Sequence, residues 1–297
     1  MKNTKKRITR FLCLLAAVVC LAGCGAAGDS GGGNASDTEE MKSLVIGTGQ
    51  SCGTLDPLQS YDGWYTVRFG IGQTLTKLND DFSVSGWLVE DDYTVNEDHT
   101  VWTFTLRDDV TFSNGTKLTA ELAKASLEHV NECGTRGPEY FTPASIEADG
   151  QTLTITTEKP EPILPNKLAD PYFTIIDTTV DMTKIADEGP VGTGPFVVSS
   201  FDPLTKETVV VKNERYWGGE VQVDQITFVY TEDQSTLTMG LKSGDFDAVY
   251  NVSMTSIADF ENQEEYSIVR TASGRTAHGF MNQNGALGDE TLRQAIL

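Results

Sequence analysis

Residues 101–120 read VWTFTLRDDVTFSNGTKLTA. Trp102, Phe104 and Leu106 alternate with Thr103, Thr105 and Arg107, the period-two pattern of a strand with one buried face. Asn114-Gly115 marks a tight turn. Thr119 stands where a helix N-cap belongs, with Glu121 in the following turn and Gly134 at the far end. The spacing predicts a helix over 120–133, with Ala123, Leu127 and Val130 as its apolar stripe.

The neighbouring segments extend the same α/β mixture. Leu44-Val45-Ile46 reads as a first strand ending at Gly47. Residues 152–157, TLTITT, alternate again, and 207–213, ETVVVKN, and 225–231, QITFVYT, read as two more strands. Residues 233–242, DQSTLTMGLK, read as a helix and 245–250, DFDAVY, as the strand after it. There is no internal repeat.

Charge narrows the function. Acidic residues outnumber basic ones 43 to 22, a net charge of −21, and five of the basic residues lie in the first ten positions. The rest of the chain is therefore more acidic still, and it repels phosphate backbones, which argues against a nucleic-acid partner. The N-terminus reads as an address. A basic stretch, residues 1–10, precedes an apolar run, FLCLLAAVVCLAG at 11–23. Such a run spans roughly 20 Å as a helix, short of the ~30 Å hydrocarbon core, so it fits a cleaved leader rather than an anchor helix. Leu21-Ala22-Gly23-Cys24 resembles the bacterial lipobox, which implies that Cys24 is lipidated and becomes the mature N-terminus, anchoring the protein to the outer face of the membrane. Gly25 to Glu40, GAAGDSGGGNASDTEE, then reads as a flexible tether.

Catalytic signatures are sparse. The sequence has no G-x-x-x-x-G-K-[ST], no H-E-x-x-H and no G-x-S-x-G. Gly47-x-Gly49-x-x-Cys52 misses the third glycine of a dinucleotide fingerprint. The three histidines are His99, His129 and His278. His129 and Cys133 are four apart on the predicted helix, but two ligands are not a metal site. No cofactor is expected. A Cys52–Cys133 disulfide stays open at this level, because sequence cannot place the two within bonding distance. With 43 carboxylates, a glycosidase-like pair in a secreted glycan hydrolase also stays open.

Several segments together resemble the solute-binding proteins of bacterial ABC importers in family 5, the peptide and nickel group. Thr54-Leu55-Asp56-Pro57 matches the family's early TLDP turn, and residues 101–120 its most recognisable stretch. Val191 to Val197, VGTGPFV, matches the GTGPY/F turn. Lys212 to Gly219, KNERYWGG, resembles RNPDYWGG, and Asp233 to Ala248, DQSTLTMGLKSGDFDA, resembles DQSTRLAALQSGEIDI. Met281-Asn282 and Leu292 to Ile296, LRQAI, match the LN…VRQAI stretch. The six matches fall in family order.

The resemblance implies an α/β fold of the periplasmic-binding-protein type (type II, cluster C). Domain I would be discontinuous, residues 42–74 and 188–267, after a signal peptide at 1–23 and a tether at 24–41. Domain II, residues 75–187, would be inserted in it, and domain III would begin at 268 and be mostly missing from this chain. It further implies a monomeric, non-enzymatic protein that captures oligopeptides by cleft closure and hands them to a membrane permease, with a nickel chelate as the alternative ligand. Ligand-facing residues are expected in the loop after TLDP, here Tyr61, Asp62, Gly63, Trp64 and Tyr65. Arg136 and Tyr140 fall where nickel-type relatives place a cation and an aromatic facing the ligand.

Overall fold

The computed structural model describes residues 41–261, 263–271 and 280–296. The leader, Cys24, the tether and His278 lie outside the described residues.

The quoted stretch folds as its chemistry dictates. Strand β5 (Val101–Thr105) buries Trp102 and Phe104. It sits in a four-stranded antiparallel sheet of order β4-β5-β7-β6, with β4 at Thr94–Val95, β6 at Ser145–Asp149 and β7 at Thr152–Thr156. Helix α2 (Ala120–Cys133) follows; the Thr119 hydroxyl accepts a hydrogen bond from Leu122 N, and Ala123, Leu127 and Val130 are buried. These side chains close one face of the sheet and form one core with Leu153 and Ile155. The Asn114 turn between strand and helix is anchored from outside: its amide Nδ2 donates to Asp177 Oδ2 at 2.8 Å.

A second sheet has five strands in the order β11-β1-β10-β9-β8. These are β1 (Ser43–Thr48), β8 (Phe196–Phe201), β9 (Thr208–Lys212), β10 (Gln225–Tyr230) and β11 (Ala248–Tyr250). The N-terminal strand β1 lies parallel to both β10 and β11, with Ile46 opposite Phe228 on one side and Ala248 on the other. Between β10 and β11 the chain forms helix α6 (Gln234–Ser243), capped by the Asp233 carboxylate through Ser235 N. Parallel strands need such a crossover. The strand expected over 245–250 begins only at Ala248. Asp245 N and Phe246 N both return to Gly240 O and close the helix end, while Asp247 Oδ2 accepts from Val45 N. Strands β6 and β8 are absent from the sequence reading, and so is the hairpin of β2 (Thr76–Leu78) and β3 (Val84–Gly86).

The two sheets meet at a joint of crossing main chain. Gly194 N donates to Ile71 O at 3.0 Å and Phe196 N to Gly70 O at 2.9 Å; on the other side Ile175 N donates to Gln73 O at 2.9 Å. Gln73 is wholly buried, and its Oε1 accepts from Thr193 Oγ1 and Trp217 Nε1, each at 2.9 Å. The GTGPF and YWGG segments thus belong to the joint, a scaffold role.

Both thiols of the described residues are free. Cys52 is buried and Cys133 exposed, and burial, seconded by Asp62, pushes the Cys52 pKa up to about 11.

Asp177 carries an acid-sensitive part of the stability. It is 1% exposed and accepts from Asn114 Nδ2, Thr179 N and Thr179 Oγ1. Burial alone would disfavour its charge, but the bonds from Thr179 and Asn114 outweigh burial and hold its pKa below the ordinary carboxylate value. Asp177→Asn is expected to cost roughly 1–3 kcal/mol at neutral pH. Because the folded-state pKa is depressed, this stability is present above the unfolded-state pKa of about 3.9 and is lost as pH falls through the lower folded-state value. Denaturation midpoints of wild type and variant should converge in acid; a gap that stays constant into strong acid would contradict the assignment.

Candidate functional site

The segment after TLDP is a turn followed by a short helix rather than a loop throughout. Helix α1 (Gly63–Arg68) begins inside it. Asp56 starts the turn: its Oδ1 accepts from Leu58 N at 3.0 Å. Asp62 closes it, with its carboxylate oxygens accepting from Gly53 N at 2.9 Å and Thr54 N at 3.2 Å. Burial raises the Asp62 pKa against the pull of those two N–H groups. Gly63 is required by close approach, since a Cβ there would lie 2.7 Å from both the Pro57 and Pro171 carbonyl oxygens.

The five residues singled out in this segment therefore divide. Asp62, Gly63 and Tyr65 are buried and build the turn and its packing, whereas Tyr61 and Trp64 are 54% and 37% exposed. Arg136 precedes and Tyr140 ends a second short helix, Gly137–Tyr140, just beyond α2. The fold brings this pair to Tyr61. The Arg136 guanidinium carbon lies 4.5 Å above the Tyr61 ring centroid and 5.7 Å from that of Tyr172. The Tyr140 and Tyr172 rings are 5.3 Å apart.

Sequence reading missed Tyr172 and Asp170, which form the floor. Both lie in Asp170-Pro171-Tyr172-Phe173, where Asp170 Oδ1 accepts from Tyr172 N at 3.1 Å and caps a single 3-10 turn over Pro171–Phe173. An aromatic run after a proline was the available signal. Burial raises the Asp170 pKa; the Tyr172 N–H, the Trp64 side chain and Arg136 act against it. Tyr172 is 2% exposed, and its hydroxyl and the Arg136 Nε are buried atoms without hydrogen-bond partners. Burial opposes the Arg136 charge, but the Tyr140, Tyr172 and Tyr61 hydroxyls beside it favour the charge and raise its pKa. The site is thus a permanent cation set among aromatic rings, suited to holding a carboxylate under a flat or apolar body. Asp170, whose carboxyl feels the Arg136 charge, and Asp62 in the turn each accept hydrogen bonds from main-chain N–H groups. Among the described residues, no group of three His, Cys, Asp or Glu side chains could hold a metal ion, and no helix is long and apolar enough to cross a membrane.

Comparison with known proteins bears on the family of the chain. Residues 83–297 match the profile of the bacterial extracellular solute-binding proteins, family 5 Middle. The nickel-binding protein NikA of Staphylococcus aureus is 29% identical over 291 residues, covering 98% of this chain and 55% of its own length. Its structure in complex with Ni(L-His)2 aligns over 75% of this chain and 46% of that one, with a TM-score of 0.69 and 30% identity. The nickel ABC transporter structure from Bacillus halodurans gives 0.69 at 35% identity over 75% of this chain and 46% of that one. The probable D,D-dipeptide-binding periplasmic protein DdpA of Escherichia coli is 27% identical over 85% of this chain and 52% of its own length. The chain spans about half the length of the curated relatives it matches.

Proposed function

Because this chain belongs to the bacterial extracellular solute-binding proteins of family 5, we propose that it serves an ABC importer by binding a small carboxylate-bearing solute outside the cytoplasmic membrane. The observation that carries this is Arg136, stacked on Tyr61 beside Tyr140 and Tyr172. No bond need be broken; the protein captures and releases, and the reading makes it a binding protein rather than an enzyme.

The solute we favour is a nickel chelate. Relatives named for nickel cover nearly the whole chain at 29% identity or three quarters of it at 30–35%. The described residues offer no metal-ligating cluster, so a metal held by this part of the protein would bring its own ligands and present a carboxylate to Arg136. Oligopeptide capture, the expectation from sequence, is the second reading. Its support is the dipeptide-binding relative and the same cation, which would take a peptide C-terminus equally well.

On the same basis we read the five-stranded sheet as part of a discontinuous first domain (42–74 and 188–267) and the four-stranded sheet as part of an inserted second domain (75–187). A third domain would start at 268. Cys24 would carry the lipid that keeps a monomeric protein near its permease.

Equilibrium dialysis of the full chain against Ni(II) with two equivalents of L-histidine, and separately against a D-alanyl-D-alanine dipeptide, tests the reading. Retention of one probe without turnover is expected. Arg136→Gln should weaken it at least tenfold, the loss of a charge-assisted contact. Retention that Arg136→Gln leaves unchanged, or hydrolysis of the dipeptide, would overturn it.

A further inference from the structure

Arg136 and Tyr61 come from segments 75 residues apart, and neither of the helices that follow them has a side-chain cap. Helix Gly137–Tyr140 lacks a side-chain cap, and Arg136 stands at its N-terminus in a non-helical conformation. What joins the two segments is the residue before Arg136. Thr135 N donates to Leu58 O at 3.0 Å. The Thr135 hydroxyl donates to the same oxygen at 3.2 Å and accepts from Ser60 N at 2.7 Å. Ser60, directly before Tyr61, has φ +46°, a left-handed conformation that a non-glycine residue adopts only when its surroundings impose it. The bond from Ser60 N to Thr135 supplies one such constraint, and the Asp62 N to Gln59 O bond of 2.9 Å supplies the next.

We propose that Thr135 is a positioning residue: its three hydrogen bonds to the Leu58–Ser60 turn seat the Tyr61 ring on the Arg136 guanidinium. The hydroxyl acts as a two-way staple. As acceptor it holds Ser60 in the left-handed turn that aims Tyr61; as donor it fixes the chain entering Arg136. A guanidinium backed by a ring loses less freedom when a carboxylate arrives, so pre-seating strengthens binding without touching the solute. The link to solute affinity rests on the reading of Arg136 as the solute's anchor; the seating itself does not.

The test reads the seating directly. In a 1H–15N spectrum of the arginine side chains of the full chain, the Arg136 Nε–H signal, assigned by its disappearance in Arg136→Lys, should be displaced by the Tyr61 ring. In Thr135→Val and Thr135→Ala the signal should return to the position of solvent-exposed arginines, while Thr135→Ser, which keeps the hydroxyl, should leave it in place. Retention of Ni(II) with two equivalents of L-histidine should fall about tenfold in the Val and Ala variants and recover in the Ser variant. A residue of purely structural importance would lower the melting temperature in Thr135→Val and leave the Arg136 signal of the folded protein unmoved, and that result would overturn the proposal. If Arg136→Lys abolishes retention of the nickel complex while the Thr135 variants leave the signal in place, the positioning role falls and the solute site stands. If the Thr135 variants move the signal but Arg136→Lys retains the complex unchanged, the seating stands and the solute site falls.

Discussion

Phe104→Ala should destabilise the protein by about 3–5 kcal/mol, the range for emptying a fully packed aromatic position. Phe104 has no exposed surface and lies in the middle of β5, between β4 and β7. Its ring stacks on Trp102 at 6.2 Å and meets Tyr93 at 5.4 Å. The sheet on one side and α2 on the other are regular elements tied by their own hydrogen bonds, so neither can collapse into the void. Urea unfolding midpoints will show the loss; Thr105→Ala, at the exposed neighbour on the opposite face, should change stability by less than about 0.5 kcal/mol. Equal effects at the two positions would mean that the period-two reading of this strand assigns the wrong face.

The second large effect is expected at the joint between the sheets. A methyl group at Gly194 would stand 2.1 Å from Gly70 O and 2.7 Å from the carbonyl carbons of Gly70 and Ile71. These are main-chain atoms held by Gly194 N to Ile71 O and Phe196 N to Gly70 O, so no side chain can swing aside. Gly194→Ala must part the two segments, and with them the bond from Asn213 Nδ2 to Gly194 O at 2.8 Å. We expect a loss of roughly 3 kcal/mol or more, beyond ordinary overpacking. Faster hydrogen exchange should appear at the Gly194 and Phe196 amides. Gly285→Ala, where a Cβ meets nothing within 4 Å, serves as the neutral control. Unchanged exchange at Phe196 would show that the joint yields without cost.

Extracellular solute-binding proteins of this group work by holding a ligand, so a variant that loosens the joint should act on the orientation of one sheet relative to the other, whereas Phe104→Ala acts within one sheet. Arg136 and Tyr61 sit on segments that contact each other through Thr135, which makes the site sensitive to changes that leave both cores intact.

Much of the fold was legible because it rests on local rules. Period two in residues 101–106, a threonine before a helix and an apolar stripe at helical spacing each have a cause within a few residues. The helix over 120–133 appears with those bounds and with Thr119 as its cap. Strands β6 and β8 were not legible. Ser145–Asp149 buries only Ile146, and Phe196–Phe201 buries no residue fully and carries a bulge near Ser200, so neither presents the alternation that marks a strand. The strand after α6 was read three residues too long, because Asp245 to Asp247 look extended by composition while their hydrogen bonds belong to the helix end and to β1.

The sequence by itself determined the elements with a local pattern, the acidic charge and the resemblance that carries the family, since each depends on composition, on residues close together in the chain or on motifs in order. Only the tertiary structure decided which named residues face outward. Asp62 and Tyr65 stand among the residues expected to meet a ligand, yet main-chain N–H groups and packing claim them. Tyr172 had only an aromatic pair after a proline to mark it, yet its ring lies beside Arg136. Such assignments depend on where separate segments of the chain come to rest against each other. That is set by the shape of two cores and the joint between them, and no local pattern encodes it.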